Sequence, residues 1–167
     1  MSTKEVLVNG DKVMFHHEFS YGTSAVRGTK RLTSSTVAYW EIHVTNSYLF
    51  GTSIMFGVGN AHAQCSWTHR FDNMLGCDKN SYGLSYFGDI FHNGININFC
   101  EPFTTASVVA LLFNGPDATL SYFVDGIPLG VAFSNIDLST TLYPMISRAG
   151  EFCSMATDKV GHRRTCD

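Results

Sequence analysis

His62, Cys65 and His69 stand three and four residues apart in the segment NAHAQCSWTHRFDNMLG, 60–76. On a helix that spacing would put all three side chains on one face, where two imidazoles and a thiolate could hold zinc. A fourth ligand at suitable spacing is missing, so a zinc-binding or hydrolytic protein using His62, Cys65 and His69 is the alternative reading; no metal or other cofactor is expected. Ser85 lies in GLSYF (83–87), which departs from a nucleophile elbow because Phe87 replaces the second glycine and the serine falls inside a strand pattern. Gly28-Thr29-Lys30 lacks the adjacent glycine and lysine of a phosphate loop. His16-His17-Glu18 could exchange protons, but neighbours on a strand point to opposite faces and would not converge on one substrate. These residues assemble no catalytic set, and the chain reads as a non-enzyme.

The elements that would carry these groups are short and β-like. Runs rich in branched and aromatic residues recur at Glu5 to Val8, Lys12 to His16, Tyr39 to Val44, Ser53 to Val58, Tyr82 to Tyr86, Ile90 to His92, Val108 to Phe113, Leu120 to Val124, Leu129 to Phe133, Tyr143 to Ser147 and Phe152 to Met155. Between them stand turn signals such as Asn9-Gly10-Asp11, Gly88-Asp89, Asn93-Gly94, Asn114-Gly115-Pro116-Asp117 and Asp125-Gly126. The last two bracket one strand and predict a three-strand meander from Val108 to Phe133, with Pro128 at the start of its strand or on an edge. Residues 60–76 read as an irregular or briefly helical insertion that stops at Gly76. The fold class that follows is all-β, an antiparallel β-sandwich of two sheets.

Composition narrows the functional classes. A chain of 167 residues buries roughly 70% of its unfolded surface and holds a core as one domain. The net charge of −3 and a single basic cluster, Arg163-Arg164 beside His162, give no footprint for nucleic acid or an anionic membrane. Five cysteines without a C-x-x-C, and no N-x-S/T sequon, point to a reducing compartment and a cytoplasmic address, cytosol or nucleus.

Several stretches in order resemble the SPRY (B30.2-like) domain family: VRGTK at 26–30, YWEIHV at 39–44, FGVGNA at 56–61, MLGCDKNSYGLSY at 74–86, FHNG at 91–94, ATLSYFVDGIPLGVAF at 118–133 and LYPMIS at 142–147. YGTSAVRGTK, FGTSIMFGVG and DKNSYGLSY carry a narrower likeness to the SPRY domain-containing SOCS box proteins, especially the third vertebrate paralogue. The family's tryptophan in SWG is Tyr82 here.

The resemblance implies a bent sandwich whose end loops form a shallow, preformed peptide site. One SPRY domain is expected over 1–160, with 161–167 a C-terminal tail and no SOCS box. It implies a protein-interaction module that binds a short peptide segment of a substrate protein, the substrate-recognition part of a cullin-RING E3 ubiquitin ligase adaptor. Elongin B/C and a cullin are partners only if the full-length protein has a SOCS box; a structural SPRY domain of a larger assembly is a further alternative. Carried over by motif, the peptide contacts fall on His16, Glu18, Phe19 and Ser20, on Asn60, on Phe91, and on Arg148, Ala149 and Gly150. Relatives that read Asn-rich peptides carry an Arg-x-Pro-Val-Ala type run where this chain has HHEFS, so a changed specificity is implied. Arg27 is expected to tie loops together, and Gly28 to supply a special backbone angle.

Overall fold

A computed structural model of the chain describes residues 6–16, 21–44, 53–103, 108–150 and the backbone of 156–162. Its strands are β1 (Val6–Asn9), β2 (Lys12–Phe15), β3 (Gly22–Arg27), β4 (Val37–Val44), β5 (Ile54–Gly59), β6 (Ser66–Thr68) and β7 (Ser81–Ser85). β8 (Asp89–His92), β9 (Ile95–Asn98), β10 (Val108–Asn114), β11 (Thr119–Val124), β12 (Ile127–Phe133), β13 (Tyr143–Ala149) and β14 (Ala156–His162) follow. They form two seven-stranded sheets, ordered β1-β2-β14-β4-β10-β11-β12 and β6-β3-β13-β5-β7-β8-β9, with every pairing antiparallel. The all-β sandwich read from the sequence is the observed architecture.

Alternation builds the first sheet. In β4, VAYWEIHV, the buried positions Ala38, Trp40, Ile42 and Val44 face the second sheet, while Val37 and Tyr39 are exposed. The core between the sheets includes Phe15, Phe56, Phe113, Leu120 and Tyr122. Tyr122 is fully buried on β11, and its hydroxyl donates across the gap to the Phe56 carbonyl of β5 at 2.9 Å. Burial pushes that phenol well above its ordinary pKa of 10.0.

β5 and β7 are buried at every position, which explains their unbroken runs of small and apolar residues. One face of these strands meets the first sheet. The other packs with Met74 and Leu75 in a second cluster that also contains Met55, Ala63 and Met145. Gly83 allows that packing: a Cβ there would stand 2.6 Å from the Leu75 Cβ.

The meander is β10, β11 and β12. Asp125 and Gly126 both adopt positive φ, 48° and 80°, the backbone of a type I′ turn, and Asn93-Gly94 repeats it between β8 and β9. Pro128 is the second residue of β12, an edge strand whose pairing with β11 shifts register twice.

The structure departs from the sequence reading in four places. β3, GTSAVR, lacks the apolar run expected of a central strand, yet it lies between β6 and β13. β9 was also not anticipated, nor was β14, which begins after the last run expected. The run Phe152 to Met155 lies outside the described residues. In 60–76 there is no helix: turns lead into β6, which pairs with β3. Without a helix, His62, Cys65 and His69 share no face, and among the described residues no three metal-ligating side chains gather.

Candidate functional site: an end of the sandwich

Antiparallel pairing decides which residues can meet. β2 ends, β3 and β5 begin and β13 ends at the same end of the sandwich, because Ala149 opposes Thr23 and Arg148 opposes Ile54. After β2, His16 turns the chain with φ 51°, and its Nε2–H donates to the Arg148 carbonyl at 3.1 Å. That acceptor fixes the tautomer, since a carbonyl can only accept. The Ala149 N–H donates to the Ser53 carbonyl at 2.8 Å, and the Gly150 N–H to the Gly22 carbonyl at 3.3 Å.

The loop after β6 joins this end. The Thr23 hydroxyl donates to the Arg70 carbonyl at 2.9 Å and accepts from the Asp72 N–H at 3.1 Å, while the Ser53 hydroxyl donates to Asn73 Oδ1. The Arg70 guanidinium lies 3.8 Å from the centre of the Trp67 ring and forms an exposed ion pair with Asp72 at 3.4 Å. Two aromatic side chains stand in solvent here, Tyr21 at 52% and Phe71 at 41% exposure. This end thus combines a backbone tied down by hydrogen bonds, an arginine stacked on a tryptophan and two exposed aromatics.

Of the residues carried over by resemblance, this end gathers His16, Arg148, Ala149 and Gly150. Glu18, Phe19 and Ser20 lie outside the described residues. Asn60 is not brought to the same end. It follows β5 at the far terminus, beyond Gly59, which opposes Tyr143; six residues of strand separate it from Ile54, about 20 Å. There its side chain donates to Asn80 Oδ1 at 3.1 Å and accepts the His62 N–H at 2.8 Å. Arg27 ties this turn down as expected, its Nη1 donating to the Asn60 carbonyl at 2.8 Å. Gly28 corrects its expectation, for its φ is not left-handed and a Cβ would meet Pro144 at an ordinary 3.5 Å.

Phe91 lies on β8 opposite Gly83 and packs against the Met74–Leu75 cluster, away from the rim. Tyr21 and Phe71 escaped the sequence reading. The available signal was an aromatic between charged residues in HRFDN, where a core residue has no reason to sit.

Of the reactive groups singled out at the start, Cys65 and Ser85 are engaged in structure, the Cys65 thiol donating to the Ala63 carbonyl at 3.5 Å. Ser85 is fully buried in β7, with its Oγ accepting the Phe87 N–H at 3.3 Å. Burial pushes the Cys77 and Cys100 thiols above their ordinary pKa, the opposite of nucleophile activation. Tyr82 fills its place as a buried aromatic: it stacks on His92 with centroids 3.8 Å apart and accepts the Asp137 N–H at 3.1 Å.

A family model for the SPRY domain matches residues 37–159. The chain belongs to the SPRY domain family. It is 35% identical over 156 residues to SPRY domain-containing SOCS box protein 3 of Xenopus laevis, covering 92% of this chain and 42% of that protein. It is 28% identical to human SPRY domain-containing SOCS box protein 1, covering 87% of this chain and 56% of the relative. The chain thus spans about half or less of the length of these relatives. The crystal structure of the SPRY domain of human HERC1 superposes with a TM-score of 0.71 at 16% identity, covering 96% of this chain and 94% of that one, a likeness of fold. Membership in this family supports a protein-interaction module and protein partners for this SPRY domain.

Proposed function

We propose that this SPRY domain binds an extended peptide segment of a partner protein along the rim formed by His16, Tyr21, Ser53, Phe71 and Arg148 to Gly150, and that it performs no bond chemistry. The observation that carries the reading is the pairing of a rigid hydrogen-bonded rim with two large aromatics left exposed on it. Tyr21 and Phe71 suit apolar anchors, held on a backbone that is already tied down. In the longer relatives the name joins such a domain to a SOCS box. By that likeness the domain is the substrate-recognition part of a cullin-RING ubiquitin ligase adaptor, with elongin B/C and a cullin recruited through a SOCS box of the full-length protein. Half-buried free thiols at Cys65, Cys77 and Cys100 suit a reducing cytosol or nucleus.

Selection of a displayed random-peptide library on the domain tests the site. A recovered peptide should lose affinity with Phe71→Ala or Tyr21→Ala and keep it with Asn60→Ala. Equal affinity for all three variants would refute the rim.

A further inference from the structure

β12 and β9 end the two sheets on the side where Tyr82 meets Phe133. An open sheet edge is a row of unpaired N–H and C=O groups, which proteins blunt with proline, charge or breaks in register. β12 is blunted by Pro128 and two register shifts. β9 has none of these devices: its sequence is ININ, and its pairing with β8 is unbroken.

The turn before β9 fixes which groups lie open. The two-residue Asn93-Gly94 turn closes on the hydrogen-bonded pair His92–Ile95, and such pairs alternate along a hairpin. Ile97 therefore bonds to Ile90, and the N–H and C=O groups of Asn96 and Asn98 point away from β8. The Phe99 N–H, donating to the Gly88 carbonyl at 2.9 Å, continues the alternation. Among the described residues no strand pairs with β9 on that side. The chain leaving β9 crosses back, and the Phe103 N–H donates to the Tyr86 carbonyl at 2.9 Å, on the far side of β8 from the open edge.

The side chains of β9 divide by face. Ile95 and Ile97 oppose His92 and Ile90, so they continue the inward face that Tyr82 and Ile90 present to the core. The two isoleucines are nevertheless 64% and 62% exposed. An apolar ledge on an open edge is a docking surface, and the strand specifies its occupant by being self-complementary. Let β9 of a second copy run antiparallel beside it, with its Asn98 opposite Asn96. All the outward backbone groups of Asn96 and Asn98 then find partners, Ile97 meets Ile97, and asparagine meets asparagine on the other face. The strand is uncharged, so two chains of net charge −3 bring no like charges together within the paired strands.

We propose that β9 pairs with β9 of a second copy of this chain in a two-fold symmetric dimer that doubles the second sheet. One short strand from each copy places the contact among weak, transient interfaces, below about 1,200 Å² in total. β9 lies three strands from β5, about 14 Å, so the dimer leaves both rims open.

Sedimentation equilibrium from about 5 to 500 µM tests the contact, with monomer expected at the bottom of that range and dimer at the top. Ile97→Lys is expected to weaken the dimer about ten-fold or more. Asn96→Pro should do the same, because it removes an outward N–H and no bond to β8. Ile127→Lys, a change at an equally exposed isoleucine of β12, should leave the dimer intact. Mild oxidation checks the register. Ile97→Cys is expected to cross-link across the two-fold axis, where opposed Cα atoms stand about 4.5 Å apart, and Ile95→Cys is not. Each of four results would overturn the proposal: a monomer throughout the range, a dimer insensitive to Ile97→Lys and Asn96→Pro, an equal loss in Ile127→Lys, or cross-linking of Ile95→Cys as readily as of Ile97→Cys. A mass that climbs past the dimer would overturn it too, since a two-fold contact closes.

Discussion

At one end of the sandwich Arg27 donates to the Asn60 carbonyl and Asn60 pairs with Asn80; at the other, Arg70 covers Trp67 while Tyr21 and Phe71 stand in solvent. Both ends are loops on the same rigid sheets. The first satisfies its polar groups internally and buries them, which is what a structural turn requires. The second holds its backbone firmly through Thr23, Ser53 and His16 but leaves apolar area uncovered. Function is better located by what an ordered loop leaves over than by which residue types it contains.

The largest expected effect removes the scaffold common to both ends. Tyr122→Ala should cost about 3–5 kcal/mol in chemical denaturation and disable the two ends together. A loss below about 1 kcal/mol would mean that the ends do not depend on this inter-sheet contact. The same phenol gives a pH test. Its folded pKa lies above 10.0, so the unfolded chain loses the proton first; stability should be unaffected below pH 10 and fall as pH rises beyond it. Tyr122→Phe should flatten that alkaline slope.

The next effect divides the ends. Phe71→Ala should weaken partner binding by about 2 kcal/mol, roughly 30-fold, while shifting stability by less than about 0.5 kcal/mol. Asn60→Ala should do the reverse, lowering stability by about 1–3 kcal/mol and leaving affinity within two-fold, as calorimetry of binding and of unfolding would report. If both variants lowered affinity equally, the distinction between the ends would fail. Smallest is Gly28→Ala, expected within about 0.5 kcal/mol of wild type because neither its φ nor its surroundings demand glycine. A cost above 2 kcal/mol would restore the special role that its place in VRGTK suggested.

Much of the fold was legible because local chemistry agreed with it. Asp125-Gly126 and Asn93-Gly94 adopt the left-handed pair their types favour, and the alternation in YWEIHV is the alternation in burial. β3 was hidden because Ser, Thr and Gly become strand residues only when neighbours on both sides supply the ladder. Motif order named His16 and Arg148 to Gly150, which the fold brings to one end. It could not separate Asn60 from them: Asn60 follows β5 and Gly150 follows β13, and residues following the C-terminal ends of antiparallel neighbours lie at opposite ends of a sheet. Tyr21 and Phe71 were passed over because an aromatic is presumed to be core until its exposure is seen, although the charged neighbours of Phe71 in HRFDN were a signal against that.

β5 and β7 are covered on both faces and flanked by strands on both sides. Their amides should therefore exchange hydrogen for deuterium only when the whole domain opens. Deuterium uptake there is a built-in clock of global unfolding: any ligand of the native state, wherever it docks, would slow it by a factor of one plus the ratio of free ligand concentration to Kd.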